Sequence, residues 1–403
     1  MRSRKARNRE PAGLISPETA EAYLEAGRLD EALPMLERTL TYYLQNFGPR
    51  DPDTTTVRAY LGAAYQQSGR PHDAIAQFEA ALADTERTMG AEHPDTLACL
   101  TNLASAYQDA GDLRQAVAMH GRALTAAKRL MGPSDPDTLT IQSNLATAYL
   151  EAEDLVKAIA LSEQTLTARA RMLGALHPDT LTSCNNLANA YQQAGRFDEA
   201  ISLYKSTLNG SERELGRLHP DTIEIRGNMA EAYRDAGLLD EAIPLLETTL
   251  ALAGQVLGPS NPYCLIMRNN LAGSYRDQGD LDRAIPLYEQ TLADQTQVLG
   301  ADHLDTLNTR NNLAEACRDA GRLKAAIEIL EGGLAAAQGK QRAEHPDMLS
   351  YRNNLATAYL YDGQAQKGIS LLRATLADAT RALGEDHPVT VLLRENLREA
   401  HGA

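Results

Sequence analysis

The sequence contains 403 residues, of which 43% are hydrophobic and 23% charged, with a formal net charge of −15. This composition provides a large buried core and excludes a disordered chain. Binding of DNA or RNA through phosphates needs a basic surface, which the acidic balance disfavours. No apolar run reaches the roughly 18 residues of a membrane-spanning helix. Neither nucleic acid nor a membrane is therefore an expected partner.

The N-terminal residues MRSRKARNRE are basic, and no apolar stretch follows them. This pattern predicts a disordered tail over residues 1–15 and argues against a signal peptide. The first helix is expected to begin at Ser16-Pro17-Glu18, because a serine followed by proline is a typical helix-start signal.

From this point a pattern of 42 residues repeats along the chain. One copy, beginning at Leu173, reads LGALHPDTLTSCNNLANAYQQAGRFDEAISLYKSTL. A loop proline and a later glycine recur in steps of 42, with Leu304 replacing the proline once and Glu153 replacing the glycine once. Such a period is typical of solenoids, which stack helix pairs because no pair can bury its apolar face alone.

Each copy predicts two helices. In the copy above, the first runs from about Pro178 to Gln192 and ends before Gly195, since proline favours the first turn and glycine the C-terminal cap. The second runs from about Asp198 to Leu215. Both carry apolar residues at helical spacing, which indicates amphipathic helices that face a shared core.

The pattern predicts nine helix pairs over residues 16–386 and a capping helix over residues 387–403. Gly332, Gly333 and Gly339 fall in or just beyond the second helix of the eighth pair. Glycine costs roughly 0.8–1 kcal/mol relative to alanine inside a helix. We therefore expect this joint to be the softest part of the array.

Three sets of residues predict the core. Each set occupies one equivalent position in successive repeats and is called a column here. A tyrosine column contains one substitution, Cys317, and its members are Tyr23, Tyr65, Tyr107, Tyr149, Tyr191, Tyr233, Tyr275 and Tyr359. The leucine column comprises Leu40, Leu82, Leu124, Leu166, Leu208, Leu250, Leu292, Leu334 and Leu376. Small residues mark close helix approach at Ala32, Ala74, Ala116, Ala158, Ala200, Ala242, Ala284, Ala326 and Gly368.

The motif NNLAxAYxxxG, followed by a second helix that opens near DEA, resembles the tetratricopeptide repeat. The 42-residue length and the LGxxHPDT linker look like the variety found in kinesin light chains and many bacterial proteins. The resemblance covers about residues 16–400. It implies an all-α fold, a right-handed superhelical solenoid of tandem helix-turn-helix repeats, whose first helices line a concave groove. It also implies an adaptor that binds peptides or partner proteins there.

Histidine recurs in the linker at His93, His177, His219, His303, His345 and His387. The same column holds Asp51, Asp135 and Asn261, which are good helix N-caps. Packed helices lie about 8–10 Å apart, so equivalent histidines of successive repeats cannot share a zinc ion. The column predicts N-caps, and no metal or cofactor is expected.

Asparagine forms a ladder on the first helices. A continuous column contains Asn102, Asn144, Asn186, Asn228, Asn270, Asn312, Asn354 and Asn396. One residue earlier lie Asn185, Asn269, Asn311 and Asn353, and Asn189 follows one turn after Asn185. An amide side chain both donates and accepts hydrogen bonds, so it can pair with an extended peptide backbone. The other interpretation, that these residues bridge neighbouring repeats, stays open.

Arginine is concentrated on the first helices of the C-terminal half. One column contains Arg226, Arg268, Arg310, Arg352 and Arg394, and another contains Arg234, Arg276 and Arg318, each followed by aspartate. Adjacent helix residues do not face each other, so each aspartate is expected to meet an arginine of a neighbouring repeat. An ion-pair ladder is one interpretation, and guanidinium groups available to an acidic ligand are the other.

The four cysteines, Cys99, Cys184, Cys264 and Cys317, show no CxxC spacing, which fits a reducing compartment such as the cytoplasm. Cys184 shares its column with Arg226 and Arg268 and is expected to face the groove, but no base accompanies it.

The predicted function is a scaffold or adaptor that binds a peptide or protein segment, acidic in one interpretation, in the groove. The predicted contacts are the asparagines from Asn102 to Asn354 and the arginines from Arg226 to Arg318 named above. The alternatives are an enzyme, or enzyme subunit, with a site built from several repeats, and a sensor arm of a larger signalling system. The sequence does not indicate the oligomeric state.

Overall fold

The computed structural model describes residues 14–337 and 346–402. Within these ranges the chain forms 19 α-helices and no strand, which confirms the all-α prediction. The helices are α1 Pro17–Glu25, α2 Leu29–Asn46, α3 Pro52–Gln67, α4 Pro71–Thr88, α5 Pro94–Asp109, α6 Leu113–Leu130, α7 Pro136–Glu151, α8 Leu155–Leu173, α9 Pro178–Gln193, α10 Phe197–Glu214, α11 Pro220–Asp235, α12 Leu239–Leu257, α13 Pro262–Asp277, α14 Leu281–Val298, α15 Leu304–Asp319, α16 Leu323–Ala337, α17 Pro346–Tyr361, α18 Ala365–Leu383 and α19 Pro388–Gly402.

The chain divides into two compact units between Ala200 and Ile201, and each has the same internal plan. Within a unit, each helix packs against the next along the chain. The first helices of adjacent repeats also touch one another, as α3 and α5 do in the first unit and α13 and α15 do in the second. Positions on these first helices are therefore brought side by side.

Linker residues begin the first helices as predicted. His93, His177, His219 and His303 each accept a hydrogen bond through Nδ1 from the backbone N–H two residues later, and His387 does the same. Asp51, Asp135 and Asn261 use a side-chain oxygen in the same way. These bonds satisfy an orphan N–H of the first turn, so the cap interpretation is confirmed there. His345 lies outside the described residues.

The left-handed backbone that follows the first helices explains the recurring glycine. Gly195, Gly237 and Gly279 have φ of 70°, 75° and 85°. Glu153 occupies the same position with φ of 59°, and among the residues described it alone has a side chain and a positive φ. The exception seen in the sequence is therefore a strained residue in the first unit.

The predicted alanine column is buried, and the tyrosine and leucine columns are buried or half-buried. The alanines from Ala32 to Ala326 are at most 1% exposed. At the last member of this column, Gly368, a Cβ would lie 2.8 Å from the carbonyl oxygen of Ala356, so the helices meet too closely for a side chain. Tyrosine hydroxyls bridge repeats, since Tyr65 and Tyr107 donate to Glu37 and Glu79 at 2.8 and 2.7 Å.

At the joint predicted to be soft, Gly332 and Gly333 lie in α16. A Cβ at Gly333 would lie 1.9 Å from the hydroxyl of Tyr351, which donates to the carbonyl of Leu330 at 3.1 Å. Gly333 thus makes room for a buried tyrosine. Gly339 lies outside the described residues, and the softness of the joint stays a prediction.

Candidate functional site

The asparagine ladder connects neighbouring first helices. In the second unit, the Nδ2 atoms of Asn312 and Asn354 donate to the Oδ1 atoms of Asn269 and Asn311 at 3.3 and 2.7 Å. Asn396 Nδ2 likewise donates to Asn353 Oδ1 at 2.9 Å. Each bond joins the continuous column to the earlier-position asparagine of the preceding repeat. The bridging interpretation therefore describes this part of the ladder.

Glutamates join the ladder in the second unit. Asn270 donates to Glu231, and both Asn311 and Asn354 donate to Glu315 at 3.3 and 3.2 Å. Burial raises the pKa of the Glu231 carboxyl above its ordinary value. These carboxylates and amides form a continuous polar strip across α11, α13, α15 and α17.

The ladder residues of the first unit differ in exposure and in their contacts. Asn186 Nδ2 donates to Ser143 at 3.4 Å, while Asn102 and Asn189 are exposed. Asn189 accepts from Gln193, which lies on its own helix, at 3.2 Å. The remaining predicted asparagines, Asn144, Asn185 and Asn228, are half-buried, and Asn353 is 4% exposed. An asparagine with one bridging N–H keeps its second N–H and an oxygen lone pair for a ligand.

One of the two arginine columns points into the body of the repeats. Arg226 and Arg268 are only 3% and 7% exposed. Arg226 pairs with Glu212, and Arg268 Nη1 lies 2.5 Å from the Oδ2 of Asp294. Arg352 pairs with Asp378 at 2.7 Å, whereas Arg310 is half-buried and its Nε has no hydrogen-bond partner within the described ranges. Arg226, Arg268 and Arg352 therefore lie against the second helices and do not line an open surface as expected. Cys184 is half-buried, and its position in the groove stays a prediction.

The other arginine column is partly exposed, but its pairing differs from the prediction. Arg234 and Arg318 contact Asp235 and Asp319, the next residues in the chain, each at 3.2 Å. The arginine side chain is long enough to fold back to the following carboxylate. Arg276 reaches the neighbouring repeat, where Nη1 lies 2.6 Å from Glu315. Among the residues described, Asp277 and Asp319 contact the arginine of their own helix rather than one of a neighbouring repeat as predicted.

The first unit uses neutral side chains at the corresponding positions. Gln66 donates to Asp109 at 2.6 Å, and Gln108 donates to Glu151 at 2.9 Å, so each glutamine bridges to the next first helix. Gln108 Oε1 also lies 2.9 Å from Nε2 of His120, a fully buried histidine of α6 whose Nδ1 has no hydrogen-bond partner among the described residues. Burial lowers the pKa of His120 from 6.5 to about 4.

A cavity of about 380 Å³ opens between α3 and α5 in the first unit, and the sequence reasoning missed it. Tyr60 stands in it where other repeats carry the ladder asparagine, and alanines replace larger side chains beside it. Its lining includes Ala59, Tyr60, Ala63, Met89, Ala98 and Asn102. The break in the asparagine column at Tyr60 is the signal that marks this cavity in the sequence.

Most of the cysteines lie in the interior of the repeats. Cys99, Cys264 and Cys317 are buried, and burial raises the pKa of each thiol. No group of three or more His, Cys, Asp or Glu residues is placed to hold a metal ion in residues 14–337 and 346–402. Over the same ranges, no helix combines the length and apolarity needed to cross a membrane.

Comparison with known proteins places these repeats in context. A family model described as Tetratricopeptide repeat matches residues 18–87, 56–129, 95–171, 137–213, 179–255, 221–296 and 263–339. A second model of the same description matches residues 348–389. No curated protein is similar enough in sequence to count as a match.

Solved structures show the same architecture. A Rap protein complexed with competence and sporulation factor has a TM-score of 0.55 at 11% identity, with 96% of each chain covered. The apo form of the quorum sensor NprR from B. thuringiensis has a TM-score of 0.51 at 16% identity, with 94% of each chain covered. At these identities the likeness establishes the fold alone.

A third structure is nearer in sequence and lower in structural agreement. It is a Podosopora anserina protein whose name refers to a kinesin light chain and to nearly identical TPR-like repeats. It is 30% identical, covers 51% of this chain and 97% of its own, and has a TM-score of 0.46.

Proposed function

This chain belongs to the tetratricopeptide repeat family and is a protein-interaction scaffold, and from this premise we propose that its first-helix surface holds an extended peptide segment. The first-helix surface is defined here within each unit separately, by the ladder asparagines and the side chains beside them: on α5, α7 and α9 in the first unit, and on α11, α13, α15 and α17 in the second. The observation that carries the proposal is the regular row of amides on helices packed side by side.

The spacing of this row suits an extended chain. Packed helices lie about 8–10 Å apart, and an extended backbone advances about 3.3 Å per residue. Successive ladder asparagines therefore meet such a segment about every third residue. Because an amide donates and accepts, it can pair with the N–H and C=O of any sequence. Binding of this kind selects the conformation of the ligand more than its side chains.

Charge on the second unit supports a finer proposal, that the ligand carries acidic residues. Side chains of Arg234, Arg276 and Arg318 are 28%, 25% and 38% exposed. Arg318 is held by Asp319, which water already screens, so a ligand carboxylate can exchange with this aspartate at small cost. The bidentate guanidinium geometry favours such an exchange.

Selection from a phage library of random 12-residue peptides tests the proposal. A selected peptide, labelled with a fluorophore, is titrated with the wild-type chain and with Asn185, Asn269, Asn311 and Asn353 replaced by alanine. Loss of several amide hydrogen bonds, each about 0.5–1.5 kcal/mol, is expected to weaken binding at least about tenfold. Asn209→Ala, an exposed asparagine of the second helix α10, is the matched control and is expected to bind normally.

Two results contradict the proposal. One is a quadruple variant that melts at a much lower temperature yet binds the peptide with unchanged affinity per folded molecule, because the ladder then serves packing alone. The other is equal loss of affinity in Asn209→Ala, which places the peptide on the second helices.

A further inference from the structure

A side chain is absent from the first-helix surface of the second unit beside a buried tyrosine hydroxyl. Gly273 in α13 occupies the position that carries Glu231 in the preceding repeat and Glu315 in the following one. A Cβ at Gly273 would lie 3.3 Å from the hydroxyl oxygen of Tyr288 and 3.8 Å from Arg234 Nη1. We name this depression, formed by Gly273, Arg234 and Tyr288, the Gly273 notch.

Tyr288 is the unusual member of the notch. It lies in α14 and is 1% exposed, in a buried column that holds Leu246 in the preceding repeat and Leu330 in the following one. Its hydroxyl forms no hydrogen bond with any residue that the structure describes. A tyrosine buried in place of leucine carries a polar group that costs free energy unless it is paired. The hydroxyl lies beside Gly273, 3.3 Å from the position that a Cβ would take there.

The two polar groups of the notch are both hydrogen-bond donors. Burial raises the pKa of Tyr288 to about 12, so its hydroxyl keeps the proton at neutral pH. Arg234 uses Nη2 to contact Asp235, and Nη1 is the nitrogen nearest to Gly273. A single oxygen atom of a ligand can therefore accept hydrogen bonds from both groups.

The surrounding charges favour a neutral oxygen. Arg234 is already paired with Asp235, and Arg276, one turn after Gly273, is paired with Glu315 and Asp277. Glu231, one turn before Arg234, is a further acid that interacts with Arg234, and burial raises its pKa. A carboxylate would have to displace one of these partners, whereas a carbonyl oxygen would not. Glycine, moreover, lets a ligand backbone approach closely.

We propose that the Gly273 notch is a binding site for a single main-chain carbonyl oxygen, which accepts hydrogen bonds from Tyr288 Oη and Arg234 Nη1. The inference rests on the proposed peptide binding and assigns one fixed contact within it. A carbonyl held here sets the register of the segment on the surrounding asparagines, which by themselves allow it to slide.

A small probe tests the notch without any peptide. Crystals of the full chain are soaked in N-methylacetamide, which has the neutral carbonyl, and in parallel in acetate. The expected result is N-methylacetamide in the notch, with its oxygen within hydrogen-bonding distance of Tyr288 Oη, and no acetate there. Acetate alone, ordered water alone, or an empty notch in both soaks would overturn the assignment.

Two variants make the test specific. Gly273→Ala fills the notch, and Tyr288→Phe removes the donor but keeps the packing; both are expected to lose the probe and to melt at or above the wild-type temperature. Gly254→Ala, in a helix position with open space around its Cβ, is the control and keeps the probe. Probe retained in Tyr288→Phe would contradict the proposed hydrogen bond.

The peptide assay separates this inference from the proposed function. Tyr288→Phe is expected to lower the affinity for the selected peptide about threefold to tenfold, because one hydrogen bond is lost. A peptide whose binding depends on the asparagines but not on Tyr288 leaves the groove function standing and overturns the notch. If no peptide depends on the asparagines, a probe bound in the soak still supports the notch as a carbonyl site.

Discussion

The first-helix surfaces of the two units are built from the same repeat positions with different chemistry. In the first unit, Gln66 and Gln108 bridge repeats, and an apolar cavity opens beside Tyr60. In the second unit, arginines replace the glutamines, and glutamates join the ladder at Glu231 and Glu315. Both units keep the same buried alanine column beneath. Packing therefore fixes the scaffold, while the exposed positions remain free to diverge.

Lowering the pH should produce the largest difference in stability between the two units. Among the described residues, a buried histidine of this kind is found only in the first unit. The pKa of His120 is about 4 when folded and 6.5 in the unperturbed group. Between these values the unfolded chain binds the extra proton, so stability falls as the pH drops. The first unit should lose about 2 kcal/mol at pH 5 relative to pH 7.

Hydrogen exchange measured separately on α6 and α14 at both pH values checks this prediction. The histidine caps occur in both units and act as an internal reference. His120→Leu, which restores the apolar residue found in other repeats, should remove the difference. Equal acid sensitivity of the two units in wild type would show that His120 is not the cause.

Removal of a buried arginine should destabilise only the second unit. Arg268→Ala deletes the ion pair with Asp294 and a hydrogen bond to the carbonyl of Pro259. Asp294 is 35% exposed and can be rehydrated, so we expect a loss of about 1.5 kcal/mol rather than the larger cost of a fully buried pair. Urea unfolding measures this loss in the free energy of unfolding.

The control variant is Arg283→Ala, which breaks an exposed pair with Asp280 and should change stability by less than about 0.5 kcal/mol. An equal loss of stability in both variants would contradict the account.

The exposed arginines should affect binding more than folding. Replacing Arg234, Arg276 and Arg318 by glutamine should lower the affinity for an acidic selected peptide about fivefold. The salt dependence of this affinity should also decrease. The matched variant Arg28→Gln in the first unit, which lies in an exposed pair with Glu31, serves as control. A lowered melting temperature with unchanged, salt-insensitive binding would leave these arginines with a structural role alone.

The strained residue of the first unit provides the smallest effect. Glu153→Gly removes a side chain from a left-handed backbone position with φ of 59°. Glycine adopts this conformation without steric cost, so the first unit should gain about 0.5 kcal/mol in the free energy of unfolding. Gly279→Ala, the reverse change in the second unit, should lose stability. A gain in both variants would exclude backbone strain as the cause.

The sequence predicted the scaffold because repetition and packing leave visible columns. The caps at His93 and Asp51, the turn at Gly195 and the buried Ala200 all follow from backbone and volume requirements that recur in every copy. A single copy would not have distinguished these requirements from chance.

Side-chain direction was harder to predict. Arg226 was expected on the ligand surface but points toward the second helices, because adjacent helix positions differ by about 100° and spacing alone does not reveal which of them the neighbour covers. Arg234 folds back to Asp235 because a flexible side chain selects its partner in three dimensions. The notch at Gly273 arises from a missing side chain above Tyr288, a combination that involves two helices.

A crystal structure of the full chain with the selected 12-residue peptide tests the central claim most directly. The account predicts an extended peptide across the first helices, with its backbone within hydrogen-bonding distance of the amides of several ladder asparagines. A peptide bound along the second helices, or one that contacts none of the asparagines, would contradict it.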